Sequence, residues 1–178
     1  MSFSHISVML DECIEGLDIK PDGIYIDGTC GGAGHSCEIA KRLTDGGRLI
    51  GIDREPDAIA AATERLAPYS AVVKKGNFSD MKAIAAEENV DKVDGILLDL
   101  GVSSHQLDTL ERGFSYHGDA PLDMRMSQSG ISARDIVNEA SYEELRRIFW
   151  EYGEEKFSPR IADTIIKKRA DKPIETTS

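Results

Sequence analysis

The sequence lacks any hydrophobic run long enough to cross a membrane. No apolar stretch among its 178 residues approaches the ~20 that a transmembrane helix needs. The first residues, Met1 to His5, also lack the basic and then apolar pattern of a secretory signal. Cysteine is scarce: Cys13, Cys30 and Cys37 fit no zinc-binding spacing, and we expect reduced thiols that pack as small apolar groups. We therefore expect a cytoplasmic protein without a membrane segment or a metal site.

Positive charge is also scarce, and it is unevenly distributed. The chain carries 21 Lys and Arg against 32 Asp and Glu, a net charge of −11, which argues against a polyanionic partner for most of the surface. Residues 145–178 are the exception, because they carry 8 basic and 6 acidic side chains, a net of +2. A nucleic-acid contact would depend on this part of the chain, although a solvated helix face explains the same cations.

What the sequence does contain is a glycine-rich loop directly behind a short apolar run. Ile24, Tyr25 and Ile26 predict a buried strand that ends at Asp27. A helical pattern follows over residues 36–43. Between the two lie four glycines within seven residues, namely Gly28, Gly31, Gly32 and Gly34. A strand, a glycine turn and a helix form the first unit of a nucleotide-binding α/β sheet.

The spacing of these glycines bears on which nucleotide the loop binds. They read G-x-x-G-G-x-G rather than the G-x-G-x-x-G of dinucleotide sites. Asp27, directly before the first glycine, would repel a pyrophosphate at close range, whereas a ligand with a positive amino group and a sulfonium tolerates it. The loop thus favours S-adenosylmethionine over NAD, and a methyltransferase over a nicotinamide-dependent oxidoreductase. Tight turns are also glycine-rich for structural reasons, so the rest of the chain has to support this interpretation.

A second predicted strand, Arg48–Asp53, ends in a carboxylate. Asp53 follows the loop by about 20 residues, the spacing at which an acid accepts hydrogen bonds from ribose hydroxyls. The alternative is that Asp53 only caps the helix predicted to begin at Pro56.

Two further strands are predicted after the second one. The third, Ser70–Lys74, is followed by Phe78, which suits either a purine face or the protein core. The fourth, Val93–Asp99, has the continuous apolar centre of a buried parallel strand. Because ligands of open α/β sheets bind outside the carboxyl ends of the strands, Asp27, Asp53, Phe78 and Asp99 predict one site at this edge.

We find no strand candidate after Asp99. Residues 101–118 have no clear period, helical patterns follow from Ser132, and Ile174–Ser178 resembles a helix N-cap with no helix behind it. A doubly wound sheet needs strands on both sides of the first one. We therefore expect a chain truncated at its C-terminal end inside a helical insertion. The free edge and apolar face of the fourth strand would be exposed or covered by a partner, with a homo-dimer as one option.

Eight blocks occur in order along the whole chain, namely His5–Leu10, Tyr25–Ser36, Ile52–Asp57, Gly76–Phe78, Leu98–Leu107, Gly113–Tyr116, Pro121–Met126 and Tyr152–Glu155. Together they resemble the bacterial family of small-subunit ribosomal RNA cytosine-N4 methyltransferases. Asp99–Leu107 and Pro121–Met126 are specific to this family rather than to methyltransferases at large, and the sequence departs from the family at Ser127-Gln128.

The resemblance implies a class I methyltransferase, an α/β fold with a Rossmann-like parallel sheet and a helical insertion. Residues 1–112 would form the N-terminal part of the S-adenosylmethionine-binding domain, and residues 113–178 an active-site loop and the start of the incomplete insertion. The cofactor contacts carried over by the resemblance are Ala33, Gly34, His35, Asp53, Phe78, Asp99 and Gln106.

The resemblance also implies a substrate, one cytosine in the decoding region of small-subunit ribosomal RNA. The partner would be that RNA, free or in the small ribosomal subunit, and no sole catalytic residue is assigned. Arg125 and the basic residues of the insertion are the candidates for contacts to RNA phosphates. A fragment that binds cofactor or RNA without turnover is the alternative from another functional class.

Overall fold

A computed structural model of the chain describes residues 7–44, 46–127 and 129–178. The predictions that fall on His5 and Gln128 lie outside these residues. The chain divides into two compact units, Met1–Gly101 and Val102–Ser178, whereas the division expected from the sequence falls after residue 112.

The first unit contains a four-stranded parallel sheet with the strand order β3-β2-β1-β4. This is the predicted Rossmann-like arrangement, in which the chain runs outward from the first strand and then returns to its other side. The strands are β1 (Ile24–Asp27), β2 (Arg48–Asp53), β3 (Ala71–Lys75) and β4 (Gly95–Leu97). The helices are α1 (Leu10–Leu17), α2 (Gly34–Ala40), α3 (Pro56–Leu66) and α4 (Met81–Glu87).

Apolar side chains cover both faces of this sheet, because successive residues of a strand point to opposite sides. On one face, Tyr25 and Leu49 pack in a cluster with side chains of α2 and α3. On the other, Ile26, Ile50 and Ile52 pack with side chains of α4. Burial on both faces explains why the strands read as continuous apolar runs rather than alternating ones.

The second unit is helical in the part that the structure describes. Its helices are α5 (Ser104–Asp108), α6 (Ala133–Glu139), α7 (Tyr142–Glu151) and α8 (Ser158–Asp171). A capping box begins α6, since Ser132 and Asp135 exchange side-chain-to-backbone hydrogen bonds. At α7, the Ser141 hydroxyl accepts a hydrogen bond from the amide of Glu144.

Helices α7 and α8 form a hairpin with a tightly held turn. Leu145 of α7 and Ala162 of α8 are buried. In the turn, the amide of Glu155 donates to the carbonyl of Phe149 at 3.0 Å, and the amide of Phe157 donates to Glu155 Oε1 at 2.7 Å. A Cβ atom at Gly153 would lie 2.9 Å from the Phe149 carbonyl oxygen, so only glycine fits there.

Residues near Ser178 pair with an earlier segment of the chain, and the predicted helix cap over Ile174–Ser178 stays a prediction. Thr176 forms an antiparallel bridge with Pro121, and Thr177 donates hydrogen bonds to the carbonyls of Ala120 and Gly118 at 2.9 and 2.8 Å. These contacts join segments more than 50 positions apart, which local sequence patterns do not report.

Apart from that bridge, no strand follows β4 in the described residues, and there β4 pairs only with β1. Ile96 and Leu98 are 45% and 41% exposed at this edge. In the same residues, no helix is both long enough and apolar enough to span a membrane.

Replacing Ile50 tests the packing of the sheet. Ile50 is 0% exposed, so Ile50→Ala removes buried methyl groups and leaves a cavity, and the free energy of unfolding should fall by about 2–5 kcal/mol. The measurement is urea denaturation followed by circular dichroism. Ile131→Ala is the matched control, because Ile131 is 75% exposed, and its effect should stay within about 0.5 kcal/mol. Equal effects of the two substitutions would contradict the described core.

Candidate functional site

The carboxyl ends of the four parallel strands lie along one edge of the first unit. The loops that leave this edge are bonded to neighbouring strand ends. The amide of Gly28 donates to the carbonyl of Leu97 at 2.9 Å, that of Cys30 to Ile52 at 3.0 Å, and that of Gly76 to Asp53 at 2.9 Å. The loops after β1 and β3 are therefore held against the ends of β2 and β4, at the edge where open α/β sheets bind ligands.

The glycine loop between β1 and α2 depends on residues with left-handed backbone. Gly31 has φ +51°, and Ala33, which precedes the first residue of α2, has φ +62°. Glycine adopts this conformation without a steric penalty, whereas it costs an alanine about 1–2 kcal/mol. Ala33 is completely buried, so its packing offsets that strain.

Asp53 holds this loop from the neighbouring strand. Its Oδ2 accepts a hydrogen bond from the amide of Gly31 at 2.7 Å, and its Oδ1 accepts one from the amide of Glu55 at 2.9 Å. The residue before α3 is Glu55, so Asp53 is not the cap of that helix. Each carboxylate oxygen keeps a further acceptor position, and the side chain is only half-buried.

Asp27 has a different role from the one expected. Its position at the end of β1 predicts a ligand-facing acid, but Asp27 is 1% exposed. Its Oδ2 accepts a hydrogen bond from Ser36 Oγ at 2.6 Å, and its Oδ1 accepts one from the amide of Thr29 at 3.1 Å. Asp27 therefore stabilises the inner side of the loop and the start of α2, and its charge does not meet a ligand directly.

Burial raises the pKa of two acidic groups inside the loop, the Asp27 carboxyl and the Cys30 thiol. Removal from water raises the pKa of Asp27 above its ordinary value, although the hydrogen bonds from Ser36 and Thr29 favour the charged form. Burial also raises the pKa of the Cys30 thiol, which lies with its Sγ 3.3 Å from Ser36 Oγ. Cys30 is thus an inert packing residue rather than a nucleophile, as expected from the sequence.

Phe78 and Asp99 lie at the same edge. Phe78 begins a short 3-10 turn after β3 and is 37% exposed, which disfavours the alternative of an ordinary core residue. A Cβ atom added at Gly28 would lie 3.0 Å from Phe78 Cβ, so the glycine lets the aromatic residue approach the loop. The amide of Asp99 donates to Thr29 Oγ1 at 2.7 Å, and the residue itself is exposed.

Gly34 and His35 contact the N-terminal segment. A Cβ atom at Gly34 would collide with the side chain of Ser7. His35 is 6% exposed, and its Nε2 lies 3.0 Å from the carbonyl oxygen of Val8, to which it donates. Both residues therefore have a structural reason to be where they are, and their predicted contacts to a cofactor stay predictions.

Gln106 belongs to the second unit. It lies on α5 and is buried, and its Oε1 accepts a hydrogen bond from the amide of Ser103 at 3.0 Å. Its predicted contact to a cofactor stays a prediction.

Arg125 forms its hydrogen bonds with neighbouring residues of its own loop. Its guanidinium forms a bidentate pair with Asp123, with Nε 2.9 Å from Oδ1 and Nη2 2.5 Å from Oδ2. Its Nη1 donates to the carbonyl of Gly130 at 3.3 Å. Most of the N–H donors of Arg125, a residue expected to contact RNA phosphates, are therefore used within this loop. No group of three or more His, Cys, Asp or Glu side chains is arranged to hold a metal ion in the described residues.

Thr29 and Ser36 are the site residues that sequence reasoning missed. Thr29 connects Asp27 to Asp99, and Ser36 connects Asp27 to α2. A signal for Thr29 was present, because an Asp followed two positions later by an amide it can bind is a common turn. Ser36 had no such signal, since its partner lies across the whole loop.

Comparison with known proteins identifies the family of the chain. The MraW methylase family matches residues 2–178. The chain belongs to this family. It is 57% identical over 180 residues to the ribosomal RNA small subunit methyltransferase H of Lachnospira eligens, and 57% identical over 181 residues to the ribosomal RNA small subunit methyltransferase H 2 of Agathobacter rectalis.

These alignments cover 99% of the chain but only 57% and 58% of the two relatives. The chain therefore spans less than two thirds of the length of the family members it matches. Among solved structures, an rRNA methylase from Streptococcus thermophilus is 15% identical, with a TM-score of 0.44 over 66% of this chain and 71% of that one. The fold assignment rests on the strand order and helix positions described above.

Replacing Asp27 tests its role inside the loop. Burial raises the pKa of Asp27 in the folded state above its ordinary value of 3.8. The stabilisation linked to this shift is therefore fully present at pH values below 3.8, and it is lost as the pH rises through the raised pKa. Asp27→Asn should remove this part of the pH dependence. Asp27→Ala should lower the free energy of unfolding by about 1–3 kcal/mol, because Ser36 and Thr29 lose their acceptor.

The measurement is urea denaturation at a series of pH values. Asp91→Asn is the matched control, because Asp91 is exposed and should leave the pH profile unchanged. An identical pH profile for Asp27→Asn and the wild-type chain would show that Asp27 is not the buried acid described here.

Proposed function

We propose that the first unit binds S-adenosylmethionine at the carboxyl edge of its sheet. We further propose that the protein transfers the cofactor's methyl group to the exocyclic N4 amine of a cytosine in small-subunit ribosomal RNA. Membership in the MraW methylase family and relatives named as methyltransferases of the ribosomal RNA small subunit support this activity. The observation that carries the proposal is the position of Asp53.

Asp53 fits a ribose. One acceptor position on each of its oxygens is used by the amides of Gly31 and Glu55, and one on each remains. A ribose offers two neighbouring hydroxyl donors, which match this pair of acceptors. The same hydrogen bonds fix the carboxylate against the glycine loop, so little side-chain freedom would be lost when the ligand binds.

The neighbouring residues fit the rest of an adenosyl ligand. Phe78 is partly exposed beside Gly28 and offers an aromatic face for the adenine. Asp99 is an exposed carboxylate whose backbone is fixed by Thr29. It suits either the amino group of the cofactor or the hydrogens of the substrate amine.

The reaction makes modest demands on acid–base chemistry. When bound, the cofactor would supply an electrophilic methyl group on a cationic sulfur. The N4 amine of cytosine is a weak nucleophile because its lone pair is delocalised into the ring. The contribution expected from the protein is therefore alignment of the two reactants, with an acceptor such as Asp99 for the amine hydrogens. The base has to leave any stack to be reached.

The second unit is the part that we propose contacts RNA, free or within the small ribosomal subunit. It contains residues 145–178, whose 8 basic and 6 acidic side chains give a net of +2, whereas residues 1–144 carry 13 basic and 26 acidic side chains, a net of −13. Such a substrate assigns the reaction to the cytoplasm, the localisation expected from the sequence. A homo-dimer stays a prediction, which sedimentation of the purified chain tests directly.

Cofactor titration tests the proposed site. We expect the chain to bind S-adenosylmethionine in isothermal titration calorimetry and not to bind NAD. Asp53→Ala should weaken the binding by about 1–3 kcal/mol, because the ribose loses a hydrogen-bonding carboxylate. Asp91→Ala, which removes an exposed acid outside the site, should leave the affinity unchanged. Binding of NAD, or equal affinities for wild type and Asp53→Ala, would contradict the assignment.

Methyl transfer tests the activity itself. Transfer of a labelled methyl group to small ribosomal subunits that lack the modification is the expected result, with labelled N4-methylcytosine recovered after digestion. Cofactor binding without transfer would identify the chain as a binding module rather than a complete enzyme.

A further inference from the structure

A cleft of about 300 Å³ opens between α7 and the start of α8 in the second unit. The side chains that matter for its chemistry are an indole, three cations and two carboxylates. They are Trp150, Arg146, Arg147, Lys156, Glu143 and Glu151. Arg146, Arg147 and Lys156 belong to residues 145–178, the basic stretch that the proposed function assigns to RNA, and Trp150 adds an aromatic surface to it.

Aromatic side chains are unusually exposed here. Trp150 in the cleft is 59% exposed, and Tyr152 and Phe157 beside it are 75% and 67% exposed. Large aromatic side chains usually bury most of their surface, and a group of exposed ones marks an interaction site more often than a single one does. Trp150 is also the only tryptophan in the chain.

The cations of the cleft divide into paired and unpaired ones. Arg147 forms an ion pair with Glu151 at 2.9 Å, and its guanidinium lies 5.7 Å from the ring of Tyr152. Arg146 and Lys156 are exposed and form no ion pair in the described part of the chain. Glu143 reduces the positive potential without cancelling it. Arg146 and Lys156, which line the same cleft as the exposed Trp150 indole, therefore have N–H donors available for an anionic ligand.

The cleft is formed in advance of binding. Arg146 and Trp150 lie four residues apart on α7, so they lie on the same side of that helix. Lys156 lies in the turn held by the hydrogen bonds of Glu155 and Phe157. A ligand would therefore meet an aromatic side chain and two positive groups that a helix and a hydrogen-bonded turn bring to one cleft.

We propose that this cleft binds an unpaired segment of RNA, with one base stacked on the Trp150 indole and the adjacent phosphates paired with Arg146 and Lys156. The choice of RNA rests on the proposed function, while the stacking and the charge follow from the cleft. Aromatic stacking needs a base whose face is free. A duplex hides its base faces, so single-stranded RNA is the ligand that this surface suits.

Trp150 provides its own reporter. Titration of the 178-residue chain with a ten-nucleotide oligocytidine should quench the tryptophan fluorescence, and a ten-base-pair RNA duplex should not. Binding measured by anisotropy of a labelled oligocytidine should weaken about 5- to 150-fold in Trp150→Ala, the range that loss of one stacked base predicts. Trp150→Phe should bind within a few-fold of the wild type, because it keeps an aromatic ring.

Salt dependence tests the phosphate contacts. The double variant of Arg146→Ala and Lys156→Ala should lower the slope of log K against log salt by about 1.4, or ~0.7 for each lost contact to a single strand. Lys172→Ala is the matched control, because it removes an exposed cation that follows the far end of α8. Thermal melts by circular dichroism establish that each variant is folded.

The outcomes separate this proposal from the proposed function. Unchanged oligocytidine binding in Trp150→Ala, or equal quenching by the duplex, would overturn the stacking site even if the chain binds S-adenosylmethionine. Failure of the wild-type chain to bind S-adenosylmethionine would overturn the proposed function and leave the quenching result intact. The affinity for S-adenosylmethionine should be the same in Trp150→Ala and in the wild type.

Discussion

The candidate site depends on two aspartates that end neighbouring strands and accept hydrogen bonds from the glycine loop. Asp27 binds the amide of Thr29 and the hydroxyl of Ser36 from inside, and Asp53 binds the amide of Gly31 from the edge of the sheet. The loop has left-handed residues and few large side chains, and its Cys30 and Ala33 pack into the core. The hydrogen bonds and this packing together fix its shape, and Asp99 is held to it through Thr29.

The two aspartates differ in function because they differ in exposure. Asp27 is buried with a raised pKa, so it is a positioning residue whose charge is costly inside the fold. Asp53 is half-buried and keeps acceptor positions that a ligand can reach. Both carboxylates lie at strand ends, but Asp27 shapes the loop whereas Asp53 suits the recognition of a ribose. In the second unit, the cleft between α7 and α8 offers an aromatic side chain and cations instead of carboxylate acceptors for a ribose.

Much of this arrangement could be predicted because its signals are local. The apolar runs of β1 and β2 end at Asp27 and Asp53, and the predicted parallel sheet then brings these ends to one edge. The inward direction of Asp27 could not be predicted, since it depends on Ser36 across the loop. The pairing of Thr176 with Pro121 likewise joins distant segments without a sequence signal. Burial and long-range contacts were the missing information in both cases.

The most direct test of the central claim is the amide spectrum of the isotope-labelled chain during titration with S-adenosylhomocysteine. If the strand ends form one adenosyl site, the largest shifts should occur at the glycine loop and at Asp53, Phe78 and Asp99, with smaller changes on the outer side of the sheet. Shifts confined to the second unit, or spread evenly over the first, would contradict a single site held by the two aspartates.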